Sequence, residues 1–328
     1  MGIKHLNQFI SKECSDALKV VTLNDLSGKT VVVDANIFMY RFISDCALLE
    51  NMYSMISFFQ MHGIVALFIF DGKPPEEKRN TLKKRSRLKR IAEMQYNRLV
   101  DSSSNGNGNG SSSSSSSTAL KALRRRFIRV SDDDFDRVKS LMRALGVQYI
   151  VAVGEADALC AQLVMKRKAF ACVSDDTDLF VYGCCRVLRH INLFDQTATL
   201  YDMHKMLNIL GMTMTEFRQI CVISGTDYHC GKLHALKLKN AVQLFHQYKT
   251  YRQDAEENGN VFAPDFYTWL HHTRDIQFDY DTTMLVYNMF DTANMPIHPT
   301  LNIAPLNAPR NDALLHKVMA HEHFIFVT

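Results

Sequence analysis

The segment ACVSDDTD, residues 171–178, joins a short apolar run to three carboxylates within four residues, Asp175, Asp176 and Asp178. Two like charges about 4 Å apart repel by roughly 4 kcal/mol at an effective dielectric near 20. The folded chain must therefore solvate this cluster fully or neutralise it with a cation. The rest of the sequence indicates which.

Three further runs resemble buried parallel strands and, like residues 171–176, carry an acid at or near their end. They are TVVVDA (30–35), VALFIFDG (65–72) and QYIVAVGE (148–155). Helical crossovers fit between the runs, including FDRVKSLMRALG (135–146) and ADALCAQLVMKRK (156–168). The alternation predicts an α/β fold with a mostly parallel central sheet flanked by helices.

The carboxyl ends of parallel strands meet at one edge of a sheet, where ligands bind in such folds. The acids expected at this edge are Asp34, Asp71, Glu155, Asp157, Asp175, Asp176 and Asp178. Asp227, in ICVISGTDYHCG (220–231), would complete a carboxylate pocket.

Composition indicates a globular protein. The chain has 328 residues, 47% of them hydrophobic, and a net charge of +4, which allows a sizeable core in one large domain or two. Its eight cysteines form no CxxC pair, which indicates reduced thiols and argues against a zinc site. No run reaches the roughly 18 apolar residues of a membrane span, and MGIKHL lacks a signal core. We therefore expect a soluble, intracellular chain.

Basic residues are concentrated in two helix-like stretches between the second and third predicted strands. EEKRNTLKKRSRLKRIAEMQYNRLV (76–100) has eight Lys or Arg between Lys78 and Arg90, and ALKALRRRFIRV (119–130) is basic again. Residues 101–118, DSSSNGNGNGSSSSSSST, join them as a flexible tether without an apolar residue. A basic run alone is more often a solvated helix or a nuclear-targeting signal. Its position beside the acids favours contact with a polyanion.

Carboxylate oxygens without His or Cys suit Mg²⁺, for which Mn²⁺ can substitute. Two such ions about 3.5 to 4 Å apart can stabilise both the attacking and the leaving oxygen of an in-line phosphoryl displacement. The basic helices would offset the repulsion between the negative pocket and a nucleic-acid backbone. They would also make binding steeply salt-dependent. From the residues alone, we predict a metal-dependent enzyme that acts on nucleic acid.

Six motifs resemble, in order, those of flap endonucleases and their structure-specific 5′ nuclease relatives. They are MGIKHL (1–6), VDANIFMYRF (33–42), FDGKPPEEK (70–78), VGEADALCAQLV (153–164), SDDTD (174–178) and ISGTDY (223–228). The resemblance extends to about residue 245 and implies a PIN-like 5′ nuclease fold with a helical arch and a C-terminal helical DNA-binding region. The implied organisation is a nuclease region with the first arch helix (1–100), the tether at the arch tip (101–118), an internal nuclease region (119–230) and a helical duplex-binding and C-terminal region (231–328).

The resemblance also implies roles for individual residues. The family's metal-binding carboxylates fall on Asp34, Asp71, Glu155, Asp157, Asp176, Asp178 and Asp227, with Asp175 outside that set. Its catalytic basic pair falls on Lys78 and Arg85, whose spacing of seven places both on one helical face. DNA-binding positions fall on Gly2, Tyr40, Arg125, Arg126, Arg129 and Arg189.

The chain departs from the family after Asp227. Ala235 and Lys237 stand where a glycine-rich hairpin would grip duplex phosphates around a potassium ion, which leaves a potassium site doubtful. Lys232, Lys237 and Lys239 could contact DNA through side-chain charge instead. The last residues, HEHFIFVT, do not contain the family's sliding-clamp peptide, so clamp recruitment is not predicted, and a monomer is expected.

The expected function is two-metal-ion hydrolysis of DNA phosphodiesters near single-strand to double-strand junctions such as 5′ flaps. The site of action would be the nucleus or another place of DNA replication and repair. A 5′ to 3′ exonuclease acting on nicks or ends shares every catalytic residue, so both readings stay open. A non-catalytic junction-binding scaffold, a phosphatase built on the DDTD acids and a 5′ exoribonuclease are the weaker alternatives.

Overall fold

The computed structural model describes residues 2–104, 113–228, 236–258, 264–274, 276, 278–292 and 308–320. Its central sheet has seven strands in the order β1-β7-β6-β5-β2-β3-β4 in this part of the chain. The strands are β1 (Leu18–Thr22), β2 (Thr30–Asp34), β3 (Val65–Phe70), β4 (Gln148–Val151), β5 (Ala171–Val173), β6 (Arg186–Asn192) and β7 (Thr197–Asp202).

All four strands predicted from the sequence are present. They form the parallel part of the sheet together with β6, while β7 and β1 add to its edge in antiparallel register. The sequence prediction missed β1, β6 and β7. β1 and β7 lie at or next to an edge of the sheet, and polar residues interrupt the apolar residues of β6 and β7.

Helices cover both faces of the sheet. Within the described residues they are α1 (Leu6–Glu13), α2 (Ala35–Ser44), α3 (Leu48–Met61), α4 (Arg79–Ser104), α5 (Ser113–Arg126), α6 (Asp132–Ala144), α7 (Ala156–Met165), α8 (Asp178–Tyr182), α9 (Met203–Leu210), α10 (Met214–Ile223), α11 (Leu238–Glu257), α12 (Phe266–Arg274), α13 (Tyr280–Phe290) and α14 (Asp312–Met319). None of them is long and apolar enough to cross a membrane.

The alternation of side chains along β2 divides the core into two layers. Val32 points to a core shared with α1, α7 and the C-terminal helices α10 to α13, whereas Val31 and Val33 point to a core shared with α2, α3, α6 and α14. Because both faces are buried, the polar residues that follow the parallel strands are confined to the carboxyl edge of the sheet. The site described below lies at that edge.

The helices α4 and α5 extend further into the serine-rich segment than its composition predicts. The expected tether covers residues 101–118, yet α4 continues to Ser104 and α5 begins at Ser113. Adding residues to an existing helix requires no new nucleus, and serine is only mildly unfavourable there. Residues 105–112 lie outside the described part of the chain, as do Lys232, Ala235 and the terminal HEHFIFVT.

Candidate active site

A cavity of about 720 Å³ opens at the carboxyl edge of the sheet and is bounded on its far side by the arch helices α4 and α5. Its acidic lining residues are Asp34, Asp71, Glu155, Asp157, Asp176 and Asp227. Its basic lining residues are Arg41, Lys78, Arg85, Lys89, Arg125 and Arg129. The structure therefore brings together acids that are spread over almost 200 positions of the sequence.

The ends of β2 and β3 orient the first two acids. Asp34 ends β2 and caps α2, accepting hydrogen bonds from the Ile37 amide (3.3 Å) and the Ser174 hydroxyl (3.0 Å). Asp71 follows β3 and accepts from the Asn36 amide group (2.7 Å) and from the Ala156 amide at the start of α7 (2.8 Å). Each carboxylate is therefore held by backbone or side-chain donors of a neighbouring element.

Gly72 explains how two of the acid-bearing loops approach so closely. A Cβ on Gly72 would lie 1.9 Å from the carbonyl oxygen of Ala152, so only glycine fits between the chain segments after β3 and β4. The Gly72 amide donates to the Gly154 carbonyl at 2.7 Å, which ties the two segments together. Asp71 and Glu155 are next to this junction and are positioned by it.

The DDTD segment places Asp176 in the lining of the cavity and Asp178 behind it. Asp176 Oδ1 accepts a hydrogen bond from the Asp178 amide at 3.1 Å, and both side chains are buried. Asp178 is not in contact with the cavity itself. Gly2 is adjacent, in a left-handed conformation (φ 85°), and a Cβ at this position would lie 2.6 Å from Asp176 Oδ1 and 2.3 Å from Thr177 Oγ1.

The base of the first arch helix supplies the countercharge, through Lys78 in the 3₁₀ turn Glu76–Lys78 that precedes α4 and through Arg85 in α4. Lys78 Nζ donates to Glu155 Oε1, and Arg85 donates to Asp227 Oδ2. Thr81, on the same face of α4, donates to the Asp227 carbonyl at 2.5 Å. Burial lowers the pKa of Lys78, but the charge and hydrogen bond of Glu155 outweigh it, so that the pKa of Lys78 is raised.

Burial and mutual repulsion dominate the electrostatics of the acids. Burial, followed by the charge of Asp71, raises the pKa of Asp34 to about 7. Burial also raises the pKa of Asp157 and of Asp178 well above the usual range, with Asp34 and Asp176 as the next causes respectively. The site therefore holds more negative charge than its hydrogen bonds neutralise. Asp176 and Asp178 are buried and so cannot be fully solvated. Of the two ways to stabilise the DDTD cluster, neutralisation by a cation is the one that fits.

The donor set fits divalent cations that prefer oxygen. In the side-chain arrangement of the described residues, no three His, Cys, Asp or Glu groups are placed to share one ion, and Glu155 and Asp227 hold Lys78 and Arg85. Yet Asp157 Oδ1 and Asp178 Oδ1 are both buried without a hydrogen-bond partner. Buried carboxylate oxygens of this kind gain most from a hard cation such as Mg²⁺.

We expect Asp178→Asn to raise the thermal stability of the metal-free chain. The folded state raises the pKa of Asp178 above its unfolded value of about 4, so ionising it at neutral pH destabilises the fold. Removing that cost should raise the Tm in EDTA at pH 7.5 by about 2–4 °C for each 1 kcal/mol relieved. The gain should vanish below about pH 4, where both states are protonated.

Thermal unfolding in EDTA at the two pH values is the measurement, with the exposed Asp136→Asn as the control. A Tm of Asp178→Asn below that of the wild type at pH 7.5 would contradict the prediction.

Tyr40 and the arch form the outer part of the cavity. The ring of Tyr40 is 37% exposed, and Lys89 Nζ lies 5.0 Å from its centroid. Burial, and then the charges of Arg129 and Arg85, lower the pKa of Lys89. The sequence analysis did not single out Lys89, although its spacing of four from Arg85 could have shown that both lie on one helical face.

The remaining basic residues of the sequence prediction differ in position. Arg125 and Arg129 line the cavity, and Arg129 also pairs with Glu93 of α4 at 2.8 Å. Arg126 is exposed but does not line it, and Lys237 and Lys239 are exposed at the start of α11. Lys232 cannot be placed because it lies outside the described residues.

Arg189 lies behind the site rather than in the cavity lining. Its side chain is buried (4% exposed), and it donates to Asn7 Oδ1 at 2.5 Å and to the Asp175 carbonyl at 2.8 Å. These bonds link the DDTD segment to α1, and the predicted contact of Arg189 with DNA stays a prediction. Asp175 lies on the other side of that segment, where it accepts from the His190 amide at 2.9 Å.

Two models of one protein family match the chain, the XPG N-terminal domain over residues 1–92 and the XPG I-region over residues 146–227. Together they cover just over half of it. A flap endonuclease 1 of Theileria parva is 30% identical over 284 residues, which are 81% of this chain and 54% of that protein. A flap endonuclease 1 of Leishmania infantum is 25% identical over 291 residues, 81% of this chain and 71% of that protein. The chain thus matches little more than half the length of the first relative.

Solved structures share the fold at low sequence identity. The catalytic core of Rad2 has a TM-score of 0.64 at 19% identity, covering 98% of this chain and 95% of that one. Flap endonuclease-1 from Methanococcus jannaschii has a TM-score of 0.60 at 20% identity, covering 93% of this chain and 90% of that one. These likenesses confirm the predicted PIN-like 5′ nuclease fold. The two family models match the two segments of the chain that contain the strands of the sheet and the acids of the site. The chain belongs to the XPG-type flap endonuclease family.

Proposed function

We propose that the chain is a metal-dependent, structure-specific 5′ nuclease that hydrolyses DNA phosphodiesters near single-strand to double-strand junctions. The observation that supports this most strongly is the arrangement of the cavity. One wall is acidic and the facing wall is the basic side of α4, with Lys78 and Arg85 bonded directly to Glu155 and Asp227. Metal-assisted hydrolysis of a phosphodiester uses both kinds of group, acids to hold the metal and cations to bind the phosphate.

The acids would hold the metal. Asp34, Asp71, Glu155, Asp157, Asp176, Asp178 and Asp227 are the candidate ligands, and we propose two Mg²⁺ ions, for which Mn²⁺ can substitute. When bound, such ions supply Lewis-acid stabilisation of the phosphoryl oxygens and activate water at neutral pH.

The basic pair would bind and orient the scissile phosphate. Lys78 and Arg85 are both in contact with acids in the metal-free chain, so an arriving phosphate exchanges one anionic partner of each cation for another. Arg85 is suited to hold two phosphate oxygens at once, whereas Lys78 acts as a point charge. Lys78, in the turn directly before α4, and Arg85, within α4, would set the phosphate at a defined distance from the acids.

The outer cavity would receive a single strand. Tyr40 offers an exposed side chain for stacking a base irrespective of sequence, and Arg125, in the second arch helix α5, and Arg129, just after it, line the same space. Lys237 and Lys239 lie at the N-terminal end of α11, where the helix dipole also favours a phosphate. We propose that these two lysines contact the duplex beside the junction.

A substrate panel tests the proposal. One labelled set would contain a 5′ flap, a nicked duplex, a blunt duplex and a single-stranded RNA, each incubated in Mg²⁺ and in EDTA. We expect one product at the flap junction with Mg²⁺ and none in EDTA. Because several Lys and Arg side chains would neutralise phosphates, junction binding should also weaken steeply as salt rises.

Other outcomes identify the alternatives. Mononucleotides released from nicks or ends would identify a 5′ to 3′ exonuclease, which uses the same residues. Tight junction binding without cleavage of any substrate would identify a scaffold and refute the nuclease. We place the protein where DNA is replicated and repaired, since that is where flaps and nicks arise.

A further inference from the structure

Two buried tyrosines lie behind the acidic wall of the cavity. Tyr182 is the last residue of α8, and Tyr228 directly follows Asp227; each is 3% exposed. Their hydroxyl oxygens are 3.0 Å apart. Neither residue was given a role by the sequence analysis, although Tyr228 lies within the quoted motif ISGTDY.

The hydroxyl of Tyr228 reaches the metal-binding wall. It donates a hydrogen bond to Glu155 Oε2, while Lys78 donates to Oε1 of the same carboxylate. A tyrosine hydroxyl has a single proton to donate. Since Tyr228 gives its proton to Glu155, Tyr182 must be the donor in the bond between the two tyrosines. The result is a series of two hydrogen bonds, in which Tyr182 donates to Tyr228 and Tyr228 donates to Glu155.

The ring of Tyr228 contacts the other member of the same ion pair. Lys78 Nζ lies 4.6 Å from the ring centroid, within the range of a cation–π contact. Phe290 of α13 packs against both tyrosines, with ring centroids 5.3 Å from Tyr228 and 4.8 Å from Tyr182. Tyr228 is therefore fixed from behind while it touches both the acid and the cation.

We infer that the Tyr182–Tyr228 pair is a positioning device that sets the orientation of Glu155 and Lys78 for the reaction. This inference rests on the proposed nuclease function. Packing alone does not require either hydroxyl, because phenylalanine would fill the same space beside Phe290. The hydroxyls act in series, so Tyr182 affects Glu155 only by orienting Tyr228.

Phenylalanine substitutions separate the hydroxyls from the rings. Tyr228→Phe keeps the contacts with Lys78 and Phe290 and removes only the bond to Glu155. Tyr182→Phe leaves that bond in place but removes the donor that orients it. Tyr267→Phe is the matched control, because Tyr267 is fully buried in α12 and its hydroxyl donates at 2.9 Å to the Gln219 carbonyl, away from the cavity.

Three quantities are measured for each variant: the single-turnover cleavage rate in Mg²⁺, the Mn²⁺ affinity from the electron paramagnetic resonance signal of free Mn²⁺, and junction binding in EDTA. Loss of a group that orients a metal ligand costs about 10- to 100-fold in affinity or activity. We expect Tyr228→Phe to lose rate and Mn²⁺ affinity by about that factor, with unchanged junction binding. Tyr182→Phe should lose less, and adding it to Tyr228→Phe should cause no further loss, because both act on one bond.

Wild-type rate and Mn²⁺ affinity in Tyr228→Phe would overturn the inference, as would an equal loss in Tyr267→Phe. If the wild-type chain cleaves nothing, the proposed nuclease function fails, but the Mn²⁺ titration still tests the tyrosine pair. Full Mn²⁺ affinity in Tyr228→Phe would then be the outcome that contradicts it.

Discussion

Replacing Asp178 with alanine is expected to abolish cleavage while leaving junction binding intact, and Asp176→Ala is expected to behave in the same way. Both acids belong to the proposed metal-binding set, and both are buried, so water has little access to take the place of a lost carboxylate. We expect the single-turnover rate to fall by about 10³-fold or more, equivalent to about 4 kcal/mol of transition-state stabilisation. Binding should persist because the basic arch is unchanged.

Cleavage of a labelled 5′ flap and gel-shift binding in EDTA are the two measurements. Asp136→Ala is the control, since it removes an exposed carboxylate of α6 that does not line the cavity. Full turnover by Asp176→Ala and Asp178→Ala would refute the metal assignment. Loss of cleavage and binding together would show instead that these acids support the shape of the site.

Lys78→Ala and Arg85→Ala should each slow the chemical step by about 10²- to 10³-fold, or about 3–4 kcal/mol. These side chains are the cations that the structure places against the acidic wall, so each would stabilise charge that develops on the transferred phosphoryl group. Lys78 is also buried (8% exposed), and a buried charge that faces a substrate acts through a lower dielectric than an exposed one. Single-turnover kinetics at saturating enzyme isolates this step from binding.

Lys84→Ala is the matched control for this pair. Lys84 is exposed on α4, next to Arg85 in the sequence, but does not line the cavity. Its loss should therefore weaken salt-dependent binding slightly and leave the chemical step unchanged. If Lys78→Ala and Arg85→Ala behave like Lys84→Ala, the basic face of α4 serves only to steer the substrate.

The sequence predicted the parts of the fold that are written in local patterns. The predicted strands are short apolar runs; β2 and β3, which lie inside the sheet with most residues buried, end at or directly before an acid, Asp34 or Asp71. The spacing of seven predicted that Lys78 and Arg85 share one helical face; the structure places Lys78 in a 3₁₀ turn directly before α4, and both side chains reach acids of the cavity. Strand β6 was missed because Arg189 and His190 interrupt its apolar residues and its partner β7 is antiparallel.

Contacts between distant segments could not be predicted in this way. Arg189, for example, is buried and donates to Asn7, 182 positions away, a pairing that no local pattern indicates. The hydrogen bonds from Tyr182 to Tyr228 and from Tyr228 to Glu155 likewise join three distant segments of the sequence. A hydrogen bond depends on the positions of both partners in space. The separation of Tyr182 and Tyr228 in the sequence does not give the distance between their hydroxyl groups.

The amino-acid sequence by itself thus determined the α/β class, the acids of the site and the basic helix that faces them, because strand burial and helical periodicity are local properties. Only the tertiary structure decided which acid meets which cation, which carboxylate oxygens remain without a partner, and which tyrosines support them. Those pairings arise when β2, β3, α4 and α7 pack together and bring residues from distant parts of the sequence within hydrogen-bond distance. Such proximity is a property of the assembled fold, since each of these segments alone would be solvated.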